Sequence, residues 1–315
     1  MKSAPISLKS AQVSEHLQHI DVVQEMRELF TELGQGKAVQ PPQSVTLLPD
    51  DKGDFITYLG ALAGAGIFGA KLSPYLVKDG PPVITAWTML MSMETGQPLL
   101  LCDSGSLTTE RTAATTALAV DFLAVKPASC LAIVGAGAVA QAHWRHVQNL
   151  RSWQEVRVYS RGLASNTEKQ ATWRQLCPNV VFSDSAEDAA CDADTVLLCT
   201  SSGTPVIDAV ALKQNALVTS ISTNVPQAHE IAPEFLKRAQ VYCDYRATTP
   251  FAAGEMVLAA NNHNWNVEEI RGDLGELSIE TCALPESDCP VFFRSVGLGL
   301  EDIAIANAIY RAASV

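Results

Sequence analysis

Leu131-Ala-Ile-Val-Gly-Ala-Gly-Ala-Val-Ala140 decides the fold. An apolar run of strand character ends at Gly135, and a helix opens near Ala138. A pyrophosphate bound between them needs backbone N–H groups aimed at it and no side chains in the way. Gly135 permits the tight turn after the strand, Gly137 lets the backbone come close, and Ala140 stands where a third glycine often sits. The helix beginning near Ala138 then offers its positive N-terminal end to the phosphates. A bare G-x-G-x-x-A is weak evidence, because such strings recur in Ala- and Gly-rich helices. Its context carries the argument: a strand before it, a helix after it, and an alternating series beyond.

That series predicts strands at 130–134, 155–160, 180–183, 195–200, 217–222 and 241–245, with helical segments in most gaps. The alternation describes a doubly wound parallel sheet. Before Pro127 the pattern differs. Leu17, Ile20, Val23, Met26, Phe30 and Leu33 mark one amphipathic helix, which Gly34 and Gly36 stop. Short β-rich pieces follow at Ser44–Leu48, Phe55–Leu62, Ile67–Leu72, Val83–Ser92 and Pro98–Cys102. A helix rich in small residues runs from about Thr108 to Leu123, and Gly299 to Ala313 reads as a last amphipathic helix. The fold class is therefore α/β, with a Rossmann dinucleotide-binding domain over 127–297 and a discontinuous α/β domain built from 1–126 and 298–315.

The chain of 315 residues has room for two such cores. Its formal charge of −12, without a run of Lys or Arg, sets nucleic acid and anionic membrane surfaces aside as partners. The polar stretch Met1–Val13 lacks the apolar centre of an export signal, and Tyr58–Ala70 is too short and glycine-rich to span a bilayer. Eight cysteines without C-x-x-C spacing read as reduced thiols in a cytoplasmic protein. His143 and His146 lack a third ligand nearby, so no metal site is expected.

Cofactor choice is read where the second strand of the series ends. An NAD-preferring site places Asp or Glu there to accept from the ribose 2′-hydroxyl. Here Tyr159-Ser160-Arg161 offers a hydroxyl and a guanidinium, which suit a 2′-phosphate. NADPH is the expected cofactor, with NADH a second option. In Leu107-Thr-Thr-Glu-Arg-Thr-Ala-Ala114, Thr108 reads as a cap, which would put Arg111 beside open helix N–H groups as a carboxylate or phosphate receptor. Lys71 reads as ending an apolar strand, an expensive place for an ammonium without a partner.

With these residues in view, the chain resembles the ornithine cyclodeaminase/μ-crystallin family. Glu110-Arg-Thr-Ala-Ala114, Gly135-x-Gly137, Pro226 to Ile231 and Phe293-Arg-Ser-Val-Gly297 carry the resemblance, which runs from the first helix to the last. It implies a substrate and dimerisation domain from both chain ends, a dinucleotide domain between them, and a homodimer formed through the first domain. It further implies that Lys71 and Arg111 hold a substrate carboxylate and that Val296 touches substrate. Thr85, Arg111, Ala138, Val139, Ser160, Thr200, Ser222, Thr223, Asn224 and Ser295 would complete the cofactor surroundings.

Two departures matter. Gln43, in Pro41-Pro-Gln43, puts a neutral amide where relatives commonly carry a carboxylate-binding arginine. Asn224 stands where cyclodeaminases place a catalytic aspartate. An amide cannot act as a base at neutral pH, but it can position a polar group. The resemblance then points, through Lys71, Arg111 and Asn224, to NAD(P)H-dependent reduction of a small cyclic imino acid, Δ1-pyrroline-2-carboxylate or its six-membered homologue, to L-proline or L-pipecolate. An ornithine cyclodeaminase, an alanine-type amino-acid dehydrogenase and a small-ligand-binding protein are the alternatives.

Overall fold

The computed structural model describes residues 4–222, 227–286 and 288–314. It divides into two compact units, Met1–Arg111 with Gly297–Val315, and Thr112–Val296.

The first unit opens with β1 (Ile6–Leu8), α1 (Ser10–Leu17) and α2 (Val22–Gly34). The single helix expected here is two. Asp21 breaks the run by accepting the Gln24 N–H at 3.0 Å, which caps α2. Of the expected stripe Leu17, Met26, Phe30 and Leu33 are buried, while Ile20 and Val23 flank the break half-buried and Val22 takes the buried place there. Then come β2 (Ala38–Val39), β3 (Ser44–Leu47), β4 (Gly53–Leu62), β5 (Ile67–Leu76), β6 (Val83–Ile84), β7 (Trp87–Ser92) and β8 (Pro98–Asp103). They form one sheet in the order β1-β8-β7-β5-β4-β2, with β3 added on β4 and β6 on β5. Only the β1–β8 pair is parallel among these ladders. The helix α3 (Gly105–Leu123) follows.

The second unit is the alternating part. Its elements are β9 (Cys130–Val134), α4 (Ala138–Val147), β10 (Glu155–Tyr159), α5 (Thr167–Leu176), β11 (Val180–Phe182), α6 (Ala186–Ala190), β12 (Thr195–Leu198) and β13 (Leu217–Ser220). They continue with β14 (Gln240–Cys243), α7 (Thr249–Ala252), α8 (Gly254–Asn262), β15 (Ile270–Asp273), α9 (Leu274–Ser278) and β16 (Val291–Arg294). All strand pairs are parallel, in the order β11-β10-β9-β12-β13-β16-β14-β15. The chain reverses direction across the sheet between β9 and β12, which is the switch point where doubly wound sheets bind ligands. This is a Rossmann-type sheet. β15 and β16 were not expected from the sequence, and β16 threads between β13 and β14.

The last helix, α10 (Gly299–Ala313), returns to the first unit and packs on β4, β5 and α2. It covers the sheet face that carries Tyr58, Lys71, Thr88 and Leu90, all buried. The opposite face alternates outward with Leu59, Phe68, Leu72, Trp87, Met89 and Leu101, each at least 38% exposed.

Candidate functional site

The glycine turn forms one wall of a cleft of about 870 Å³ in the second unit. Gly135 has φ +126, and a Cβ there would stand 2.3 Å from the Cys199 carbonyl oxygen. Only glycine serves at that position. From behind, Trp173 Nε1 donates to the Ala136 carbonyl at 3.2 Å and fixes the turn. Gly137 is the N-cap of α4 and has no side chain to cap it, so the first-turn N–H groups stay free for a ligand. A Cβ on Gly137 would meet nothing within 4 Å. The space that a diphosphate needs is therefore open.

The structure brings Gly135, Gly137, Ala138, Val139, Ser160, Arg161, Thr200 and Ser222 together around this cleft. Ser160 and Arg161 follow β10 on one side of the turn, and Thr200 and Ser222 follow β12 and β13 on the other. These donors fit a dinucleotide laid across the switch point. Thr223 and Asn224 lie outside the described residues.

Buried carboxylates support the strand ends. Glu230, fully buried, accepts from the Thr200 N–H and Oγ1 and from Ser220 Oγ, each at 2.7 Å, and from the Ser222 N–H at 2.9 Å. Asp244 accepts from Ser295 Oγ at 3.0 Å and from the Val296 N–H at 2.7 Å, so the Ser295 hydroxyl is committed beneath the chain. Arg294 Nε lies 2.8 Å from Glu255 Oε1, and its Nη1 donates to the Ser295 carbonyl at 2.7 Å. Burial pushes the Glu255 carboxyl up, and Arg294 pulls against that shift. Reading along the chain missed Glu230. The signal was there in two hydroxyl residues, Thr200 and Ser220, at the ends of successive strands, whose side chains call for a buried acceptor.

In the first unit Lys71 and Arg111 share a buried ionic cluster with α10. Lys71 Nζ lies 2.8 Å from Asp302 Oδ2, donates to Thr108 Oγ1 at 3.3 Å and stands 4.2 Å from the centre of the Tyr58 ring. Arg111 reaches Glu301 Oε2 with Nη1 at 2.7 Å and Asp302 Oδ1 with Nε at 3.2 Å. Gly297, at φ +80, makes room for it, because a Cβ there would sit 2.3 Å from Arg111 Nη1. Burial pushes the Lys71 ammonium down to about 8, against the pull of Asp302 and with Arg111 adding repulsion. For Arg111 burial acts in the same direction, but Asp302 and Glu301 together outweigh it and raise its pKa.

Two local expectations are corrected. Thr108 is not the cap of α3: the helix begins at Gly105, whose N–H goes to Asp103 Oδ1 at 3.1 Å, and the Thr108 N–H is already bonded to the Ser104 carbonyl. Arg111 therefore sits beyond the first turn, and carboxylates rather than helix N–H groups surround it. Lys71 stands mid-strand in β5, opposite Tyr58 and Thr88, not at a strand end. Gln43 precedes β3 and is half-buried, and Thr85 is exposed in the turn between β6 and β7.

Known proteins share the fold that carries this site. The profile of the ornithine cyclodeaminase/mu-crystallin family matches residues 4–315. The chain is 52% identical over 309 residues to the NAD(P)H-dependent anabolic L-arginine dehydrogenase DauB of Pseudomonas aeruginosa, covering 98% of each chain. Thermococcus litoralis Δ(1)-pyrroline-2-carboxylate reductase, solved in complex with NADH and L-proline, superposes with a TM-score of 0.90 at 21% identity, over 98% of this chain and 97% of that one. An archaeal alanine dehydrogenase dimer with bound NAD gives 0.89 at 24% identity, over 98% and 96%.

Proposed function

This chain belongs to the ornithine cyclodeaminase/mu-crystallin family, and on that premise we propose that it reduces a 2-imino carboxylate to an L-amino acid. Its class is that of NAD(P)H-dependent oxidoreductases acting on carbon–nitrogen bonds. The observation that carries the finer reading is the relative at 52% identity, an L-arginine dehydrogenase. We therefore place the open-chain imine of the 2-oxo acid of arginine first. Δ1-Pyrroline-2-carboxylate is the second reading, favoured by Asn224 in place of the cyclodeaminase aspartate. Both substrates present the same reacting unit, a C=N carbon bonded to a carboxylate.

When bound, the reduced nicotinamide supplies the hydride. The chain's own part is binding and orientation. Lys71 and Arg111 hold the substrate carboxylate and exchange part of their pairing with Glu301 and Asp302 for it. With the imine protonated, its carbon takes the hydride and the nitrogen becomes the amine. The discriminating assay supplies NADPH with either the 2-oxo acid of arginine plus ammonia, or pyrroline-2-carboxylate, and follows loss of the reduced nicotinamide absorbance. Oxidation with the first exceeding the second supports the leading order, the reverse ranks the cyclic imine first, and oxidation with neither refutes the proposal.

Lys71 makes the pH dependence specific. A substrate carboxylate needs the ammonium, so kcat/KM falls as pH rises through about 8, while the affinity for NADPH does not follow that limb. The loss is not unfolding. Between about 8 and the ordinary 10.5 the unfolded chain binds the proton that folded Lys71 has released, so this group's contribution to stability rises with pH. A flat kcat/KM profile from pH 7 to 10 would contradict the role of Lys71.

NADPH preference is assigned to Ser160 and Arg161, which follow β10 at the cleft wall. Arg161→Ala should raise KM for NADPH by about tenfold or more, the worth of one charge-assisted contact, and leave KM for NADH within about twofold. Equal changes for both cofactors would withdraw the assignment.

We also infer that a second copy covers the outer face of the first unit, where Leu59, Phe68, Leu72, Trp87 and Met89 are exposed on neighbouring strands. The double variant Leu72→Lys/Met89→Glu should convert a dimer into a monomer in light scattering. A wild-type protein that runs as a monomer at micromolar concentration would sink the idea.

A further inference from the structure

Glu230 does more than fill a polar gap. Its carboxylate takes both donors of Thr200, which follows β12, and the Ser220 and Ser222 donors at the end of β13. Its carbonyl takes the Val206 N–H at 2.8 Å. Thr200, Val206 and Ser222 all line the cleft, so one buried residue ties three of its wall segments together. No ion pair joins Glu230 among the described residues, and its charge is held by N–H and O–H donors. Ser222 has φ +34, in the left-handed region that side chains other than glycine adopt only at a cost, and its N–H is one of the four donors.

The sheet order says which part of a ligand these segments meet. Ser160 and Arg161 follow β10 on one side of β9, and Thr200 and Ser222 follow β12 and β13 on the other. A dinucleotide whose pyrophosphate rests on the glycine turn and whose adenosine lies by β10 must extend its other half over β12 and β13. We propose that Glu230 is a positioning residue for the nicotinamide half of the cofactor, setting the Thr200 and Ser222 segments at the spacing that half requires. This rests on the NAD(P)H reading of the cleft. Glutamine cannot replace it, because an amide has one acceptor oxygen and turns N–H groups toward donors that need an acceptor.

The test separates the two halves of the cofactor. Calorimetric titration of wild type and Glu230→Gln with NADPH, NADH and adenosine diphosphate is expected to show both dinucleotides weakened by about tenfold or more, the scale of losing charge-assisted bonds. Binding of adenosine diphosphate should stay within about twofold, which also shows that the variant is folded. Ser220→Ala removes one donor without touching the cleft wall and should weaken NADPH by about threefold, again sparing adenosine diphosphate. Unchanged NADPH affinity in both variants would overturn the inference, and so would equal losses for NADPH and adenosine diphosphate. A wild-type protein that binds none of the three would instead overturn the NAD(P)H reading itself.

Discussion

Replacing Gly137 by Asp is expected to abolish nicotinamide-nucleotide binding in a protein at least as stable as the wild type. The backbone allows it: Gly137 has φ −82 and ψ −174, ordinary for an N-cap residue, and a Cβ there would meet nothing within 4 Å. Asp is among the best N-cap residues and stabilises a helix start by about a few tenths of a kcal/mol relative to glycine. The same carboxylate occupies the space kept open for a diphosphate and repels it. Like charges brought together at such an interface cost several kcal/mol, so NADPH affinity should fall by about a thousandfold or more. Thermal unfolding and NADPH titration on the same sample check both halves. Retained binding would show that the phosphates do not pass over this turn. Gly135→Ala is the contrast: at φ +126 and 2.3 Å from the Cys199 carbonyl, it should unfold the turn rather than block it.

Lys71→Met should lower kcat/KM by about a hundredfold or more while leaving the affinity for NADPH within about twofold. Truncating one member of a buried charge pair costs about 2–5 kcal/mol, which sets that scale. The single change also leaves Asp302 facing Arg111 without Lys71, and breaking a buried pair destabilises by about 3–5 kcal/mol. The double variant Lys71→Met/Asp302→Asn keeps the cluster neutral and answers the question if the single variant folds poorly. Steady-state kinetics on either variant decides. Turnover equal to the wild type's would remove Lys71 from the site.

Six Rossmann strands could be placed from the sequence, with ends shifted by a residue or two, because each buried parallel strand is a short apolar run between turn residues. Cys130–Val134 lies where it is expected, and the strand expected at 195–200 ends two residues earlier, at Leu198. The missing strands had physical reasons. Ile270–Asp273 is an edge strand of mixed polarity with no apolar run to mark it. Val291–Arg294 does carry such a run, but its place between β13 and β14 follows from packing and not from chain order. The start of α3 was misplaced because Asp103 caps it through a side-chain bond that looks no different in sequence from the Thr108 alternative.

At the site, glycine spacing and strand ends were visible because the phosphate contact is local. The ionic partners were not. Arg111 and Asp302 are 191 residues apart, and Glu301 and Asp302 look like ordinary acidic residues in the first turn of a helix. Lys71 was found by the cost of burying it and Arg111 by its place near a helix start, whereas the anions that pair with them were found only by the fold. Asn224, the residue that separates cyclodeamination from reduction in the sequence, lies outside the described residues.

Isotope transfer tests the central claim most directly. The protein is incubated with NADPH deuterated at both C4 positions, the 2-oxo acid of arginine and ammonia, with pyrroline-2-carboxylate in a parallel reaction, and the amino-acid products are analysed by mass spectrometry. Direct hydride delivery to a C=N carbon beside a carboxylate predicts one deuterium per product molecule, located at Cα, in the L-enantiomer. Product without deuterium at Cα, or no product from either imine, would contradict it.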